Sequence, residues 1–340
     1  MRLAIVGSGM IVRDFLPVAR DVPGLELAAI VGRPESRDRL ERLAAEFGIG
    51  TVHTDYDDCL ADPTVDTVWV AVPNSLHFDR ARRALQAGKH VICEKPFVLH
   101  LGEFDELREL AERHGVVLAE AVTTLHLPNY RWIVDNLHRV GQVRLVQCEY
   151  SQLSSRWPAF QRGEIAPAFD PSMGGGALLD IGIYALHCVV GLLGRPRTVR
   201  YTPNVKRGVD TSGVTVLDYE TGVAVCVAAK DSGGPNRTKI QGSDGTIIVD
   251  GPPNACPTVR ADINGEETQV VDLNRHPHRM VEEFRVFERM IREGDLAARD
   301  AGLDHSRVVL EVTTAALSSA GLRLGPPTAE RAGEARKGPS

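Results

Sequence analysis

The sequence predicts two domains of different class: an α/β domain built on a doubly wound parallel sheet, then an α+β domain with a large, mostly antiparallel open sheet. Three observations predict this. Short uninterrupted apolar runs alternate with helical patterns through the first third of the chain, as strands buried on both faces require. After Glu120 the alternation stops, and from Val143 β-rich segments separated by turn residues dominate. A length of 340 residues suits about two domains. The boundaries read as 1–122, 123–325 and a flexible tail 326–340, rich in Gly, Pro, Glu, Arg and Lys.

The first strand is the apolar run 3–6, which ends in Gly7-Ser8-Gly9 before a helical pattern over 10–20. Strand, glycine turn and helix form the context in which a backbone receives a pyrophosphate. Gly7, Gly9, Met10 and Ile11 are therefore candidate cofactor-binding residues. The third glycine of such a fingerprint is replaced by Val12, which is expected to push the helix slightly off the strand. Residues 25–31 form the second strand, which runs into Gly32-Arg33 instead of the acidic residue that holds a ribose 2′-hydroxyl. Arg33 and Arg37 flank the next helix start, with Ser36 as its N-cap. Cations and helix N–H groups there suit a 2′-phosphate, which favours NADP over NAD. Helices at 36–47, 55–61, 75–87 and 102–114 then alternate with strands at 67–72, 90–93 and 116–119.

In the second half, residues 128–140 read as a helix ended by Gly141. Strands follow at 143–152, 197–203, 215–219, 223–229, 238–241, 246–249, 258–263 and 268–271. Turn residues such as Asn264-Gly265 separate them, which implies mainly antiparallel pairing. Helices return at 280–293 and 305–320. One apolar helix, 176–190, interrupts the β-rich region. Asp180, Tyr184 and His187 are spaced to share one of its faces. The residues alone leave two readings open for this stripe: a satisfied structural network, or chemistry.

Composition removes other classes. The net charge of −6 with no basic block gives no support for nucleic-acid binding. No signal peptide is read at the start, and no apolar run is expected to reach the roughly 20 residues of a membrane span. The six cysteines form no CxxC pair, so neither a metal site nor a disulfide framework is expected, and a cytoplasmic setting is the simplest. Cys93, Cys148, Cys188 and Cys226 lie in apolar stretches and read as core residues.

Three motifs carry more information than the glycine turn: Pro73-Asn74-Ser75-Leu76-His77, Ala87-Gly88-Lys89-His90-Val91 and Glu94-Lys95-Pro96. In this order and spacing, joined by Gly174-Gly175-Gly176 through Tyr184, they resemble the Gfo/Idh/MocA oxidoreductases. The resemblance implies a Rossmann domain and an NAD(P)-dependent dehydrogenase or reductase of sugars, polyols or related carbonyl compounds. It places Lys95 at the substrate oxygen and Pro73, Asn74, His77 and Glu94 along the cofactor, with the Lys95–Pro96 bond often cis in relatives. It also implies Asp180 and Tyr184 as catalytic partners of Lys95. Lys95 would stabilise an oxyanion. Tyr184 would donate a proton in reduction and accept one in oxidation, its ordinary pKa of about 10 lowered by a neighbouring ammonium. Asp180 would orient Lys95 or a substrate hydroxyl.

Many relatives have histidine where Tyr184 stands. The tyrosine form resembles dimeric dihydrodiol dehydrogenases, NADP-type xylose dehydrogenases and glucose-fructose oxidoreductase, and it speaks against an inositol dehydrogenase. His126, Arg156, Trp157 and His187 are further substrate-site candidates. A structural role is equally open for Trp157 as an interface aromatic and for His126 as a cap, and for His187 the structural role is the preferred reading. The resemblance also implies a homo-oligomer formed through the C-terminal sheet. Two other functions fit the fold: a non-catalytic sensor of nucleotide or sugar, and a redox-assisted glycoside-cleaving enzyme. Retention of Lys95, Asp180 and Tyr184 together favours the dehydrogenase.

Overall fold

The structure, a computed structural model, describes residues 1–325; the expected tail at 326–340 lies outside the described residues. Two compact units are present. The first holds six parallel strands: β1 (Arg2–Val6), β2 (Glu26–Val31), β3 (Thr51–His53), β4 (Thr67–Val70), β5 (His90–Glu94) and β6 (Leu118–Ala121). Their spatial order is β3-β2-β1-β4-β5-β6. The order reverses between β1 and β4, so the carboxyl ends of these strands frame the crevice where open α/β sheets bind ligands. β3 was not legible in the sequence. It has three residues, lies at the sheet edge and carries no fully buried side chain.

The expected helix over 10–20 is two elements, an α-helix Met10–Phe15 and a 3₁₀ helix Leu16–Asp21. Pro17 sits in the first turn of the second, where its missing N–H cannot extend an α ladder. Val12 is fully buried in the core beside Phe15 and Leu16.

The contiguous domain division is corrected. Residues 280–304 belong to the first unit, although they follow the whole antiparallel sheet in sequence. The reason is packing. Met280, Val281, Phe284 and Phe287 form one apolar face of helix Arg279–Glu293. The Phe284 ring stacks on Phe15 at 4.0 Å and meets Trp69 edge-on at 5.1 Å. Further along, the buried Arg299 donates to the Ala111 and Val116 carbonyls, where helix Leu101–His114 ends and a cation is favoured.

The second unit contains β7 (Val143–Ser151), β8 (Thr198–Lys206), β9 (Val209–Asp218), β10 (Val223–Ala229), β11 (Arg237–Gly242), β12 (Gly245–Asp250), β13 (Val259–Ile263) and β14 (Gln269–Val271). They form one sheet in the order β14-β13-β12-β11-β7-β10-β9-β8. Every neighbouring pair is antiparallel except β7 with β10. One sheet face is covered by the apolar helix Ile183–Leu193, which packs on β7 and β10.

Two expectations about that helix are corrected. It does not begin as a plain α-helix: Leu178–Gly182 is a single π-helical turn. A buried carboxylate holds that turn, since Asp210 on β9 accepts the Leu178 N–H at 2.7 Å. The stretch Pro171–Leu193 is also, at 23 residues, long and apolar enough to span a membrane. Most of it is buried inside the second unit, where it forms the core against the sheet.

Candidate active site

At the carboxyl end of β1, Gly7 adopts φ +115° and donates its N–H to the Val31 carbonyl at 2.9 Å. A Cβ here would collide with the Ala71 carbonyl oxygen, so only glycine fits. Gly9 is the N-cap of helix Met10–Phe15, and a Cβ on it would meet nothing within 4 Å. Met10 is exposed and Ile11 half-buried. The chain thus presents open backbone at the switch point of the sheet, an arrangement that fits a dinucleotide pyrophosphate.

Arg33 and Arg37 are both exposed, just beyond the carboxyl end of β2. Arg37 reaches Glu41 at 3.3 Å and the Thr54 hydroxyl at 3.4 Å. Ser36 occupies the N-cap position of helix Arg37–Phe47, but its side chain does not cap; this corrects the expected role. Its Oγ instead accepts from Arg39 at 3.0 Å. Pro34 starts a 3₁₀ turn ahead of the helix, which leaves Ser36 with helical rather than extended backbone. Arg39 is a third cation at this edge that sequence reasoning missed. The signal was present as an arginine two residues after Arg37.

Between β4 and β5 the loops are tied by His77. Its ring is fully buried, with Nδ1 2.9 Å from the Pro96 carbonyl and Nε2 2.9 Å from the Val72 carbonyl. Burial pushes its pKa down, against the raising pull of those carbonyls and of Glu120. Pro73 and Asn74 are half-buried at the same loop. Glu94 is buried and accepts from the indole N–H of Trp69 at 3.3 Å. The Lys95–Pro96 peptide is cis. Phe97 N–H donates to the Glu120 carboxylate at 3.0 Å, which pins the segment after the lysine. In the run from Val91 to Leu99, Lys95 alone is half-buried and every neighbour is buried.

In the second unit the arc Gly174-Gly175-Gly176 leads into the π turn. Gly176 has φ +131°, and a Cβ there would strike the Asp210 carboxylate. Asp180 lies in the π turn and pairs with Lys230 at 2.8 Å. The lysine side chain is 3% exposed and the carboxylate 33%. Lys230 was not legible as a site residue. Its signal is that it directly follows an apolar strand, as Lys95 does. Tyr184 is buried, its ring 5.9 Å from that of Tyr150. His187 is fully buried and its Nδ1 lies 2.9 Å from Nε2 of His305. Trp157 packs beside Phe160 and Phe169 with Lys206 over its ring, while Arg156 is exposed at the N-cap of helix Trp157–Arg162. His126 ends a short helix, Thr123–His126, and is half-buried.

A parallel sheet in this strand order, with a glycine turn after its first strand, defines a dinucleotide-binding Rossmann domain. The chain belongs to the Gfo/Idh/MocA oxidoreductases. The family described as "Oxidoreductase family, NAD-binding Rossmann fold" matches residues 1–122, and the Gfo/Idh/MocA C-terminal domain matches residues 136–248. A scyllo-inositol 2-dehydrogenase (NADP(+)) of Bacillus subtilis is 37% identical over 74% of this chain and 76% of its own length. A D-xylose 1-dehydrogenase (NADP(+)) of Haloferax volcanii is 31% identical over 77% of this chain and 80% of its own. Among solved structures, the 3-ketoreductase KijD10 of Actinomadura kijaniata, in complex with NADP and TDP-benzene, superposes with a TM-score of 0.78. It is 25% identical and covers 93% of this chain and 98% of its own.

Proposed function

We propose that this chain is an NADP(H)-dependent oxidoreductase that transfers hydride between the nicotinamide and a carbonyl or secondary alcohol of a sugar, polyol or related cyclic compound. The observation that carries the reading is Lys95: one half-buried ammonium in a buried run, at the carboxyl edge of a sheet with a dinucleotide turn. Related enzymes named for sugar and inositol substrates and for NADP(+) support the substrate class and the cofactor. Solved variants of the ketoreductase replace a lysine and a tyrosine, the two residue types given the main roles here.

The bound nicotinamide supplies the hydride. Gly7, Gly9, Met10 and Ile11 receive the pyrophosphate through backbone N–H groups. Arg33 and Arg37 answer the 2′-phosphate, Ser36 lies between them, and Pro73, Asn74, His77 and Glu94 shape the nicotinamide side. Lys95 stabilises negative charge as it develops on the substrate oxygen. Tyr184 exchanges a proton with that oxygen, and Asp180 orients the substrate hydroxyl. His126, Arg156 and Trp157 are assigned to substrate binding more loosely. His187, closed in against His305, is assigned a structural role.

The test is a panel of aldoses, ketoses, inositols and dihydrodiols scored for NADPH consumption and NADP⁺ reduction, with NADH and NAD⁺ as controls. Lys95→Met is expected to keep NADPH binding and lose turnover by roughly 10²–10³-fold, the scale of removing one oxyanion donor. Normal kcat in that variant removes the central role. Arg33→Ala is expected to weaken NADPH about tenfold or more and leave NADH unchanged, because it deletes one charge-assisted contact. Tighter binding of NADH than NADPH by the natural protein overturns the cofactor assignment.

A homo-oligomer in the cytoplasm completes the proposal. Val214 and Val216 on β9 and Val223, Val225 and Val227 on β10 share the sheet face opposite the core, giving another copy an apolar strip. All six cysteines are free and buried, which suits a reducing compartment. Sedimentation of Val225→Arg as a smaller species than the natural protein is the check.

A further inference from the structure

We infer that Lys230 is a positioning residue for the reaction proposed above: enclosed by protein, its ammonium fixes the Asp180 carboxylate and keeps it charged. The inference rests on that functional reading and extends it to a residue outside the motifs. Lys230 follows directly on β10, and its backbone is held on both sides. Its N–H donates to the Thr211 carbonyl at 2.8 Å, and its own carbonyl accepts from Ser154 N–H at 2.9 Å. Burying an ammonium is costly unless it is fully engaged. Here the ammonium meets the Asp180 carboxylate at 2.8 Å, donates to the Ala168 carbonyl and stands 4.1 Å from the centre of the Phe169 ring. Those three partners differ in kind, and two of them come from one turn, Pro167–Phe169. That turn is itself fastened, since Gly176 N–H donates to the same Ala168 carbonyl.

The exposure of the pair is lopsided. The lysine is 3% exposed and the carboxylate 33%, so the protein encloses the cation while part of the carboxylate reaches solvent. A pair kept for stability alone has no need of a partly exposed carboxylate, and apolar residues of equal volume commonly do as well. Asp210 also feels Lys230, and it is committed to Leu178 N–H and the Tyr201 hydroxyl at 2.7 Å each. Asp231, next in the chain, turns to the hydroxyls of Thr211 and Ser212. Asp180 is therefore the carboxylate that Lys230 touches directly and leaves accessible.

The experiment compares Lys230→Met, Lys230→Arg, Asp180→Asn and the double variant Asp180→Asn/Lys230→Met with the natural protein. Carbon-13 aspartate labelling reads the carboxylate itself, its signal assigned by its loss in Asp180→Asn. In Lys230→Met the Asp180 midpoint is expected to rise by about one pH unit or more, the size of shift that a neighbouring opposite charge produces. The acid limb of kcat should move up with it, while KM for NADPH stays put and Lys230→Arg restores most of the profile. The double variant should turn over within twofold of Asp180→Asn. An unmoved midpoint, or a double variant tenfold slower than Asp180→Asn, overturns the inference. Where loss of the Lys230 charge by itself unfolds the protein, the comparison of Asp180→Asn with the double variant carries the test, because both charges leave together. Failure of the functional reading looks different: no substrate turns over, yet the carboxylate midpoint still moves.

Discussion

Gly7 and His77 show what single residues reveal in sequence and what they conceal. The need for glycine at position 7 was legible, because a turn after a buried strand demands close backbone approach. The obstacle that enforces it, the Ala71 carbonyl, comes from the residue just past the neighbouring strand β4 and was not legible. Gly7→Ala is expected to cost about 1–3 kcal/mol, the scale of a strained backbone residue, measured by urea unfolding. His77 stood out through its motif, but the motif did not show that both ring nitrogens face carbonyls. Burial holds its pKa below the usual value, so the folded state binds fewer protons than the unfolded chain. Stability from this group is present above the unfolded value of about 6.5 and is lost as pH falls through the folded value. His77→Gln should lack that slope in unfolding measured between neutral and mildly acid pH.

At the scale of elements, most strands and helices were readable from apolar period and turn residues, because those patterns are local. The π turn Leu178–Gly182 was not, because its cause lies 32 residues away in Asp210. Gly176 makes room for that carboxylate. Gly176→Ala is therefore expected to disturb the helix start and lower Tm by several degrees, about 1–3 kcal/mol for a positive-φ position. Asp210 has its pKa raised, chiefly by burial, with its hydrogen bonds and Lys230 acting the other way. The folded state then binds more protons than the unfolded chain. Stability is fullest below the unfolded carboxylate value of about 3.9 and declines as pH rises through the folded value. Subtracting the pH profile of Asp210→Asn from that of the natural protein should isolate this decline. A difference that grows with pH instead would contradict it.

At the scale of the whole molecule, fold class and family were legible because strand grammar and motif order survive in one sequence. Membership of residues 280–304 was not. An amphipathic helix announces that it has an apolar face, but not which core receives it. The cysteines were read correctly as core residues where they lay in apolar stretches, and all six are buried. Burial pushes Cys59 and Cys256 up to about 12 and Cys93 and Cys226 well above the ordinary thiol range, and the hydrogen bond with Cys148, then burial, does the same for Cys188. A thiol-exchange reagent at neutral pH is expected to find almost none of them in the native protein and all six after unfolding. Rapid native labelling would show that a core opens far more readily than its packing implies.

The return of Phe284 to stack on Phe15 carries a consequence for synthesis. A ribosome releases Phe15 and Trp69 early, and the antiparallel sheet must emerge before their aromatic lid exists. The nascent Rossmann half therefore waits with an uncovered hydrophobic patch through most of translation, the interval in which a chaperone has most to protect.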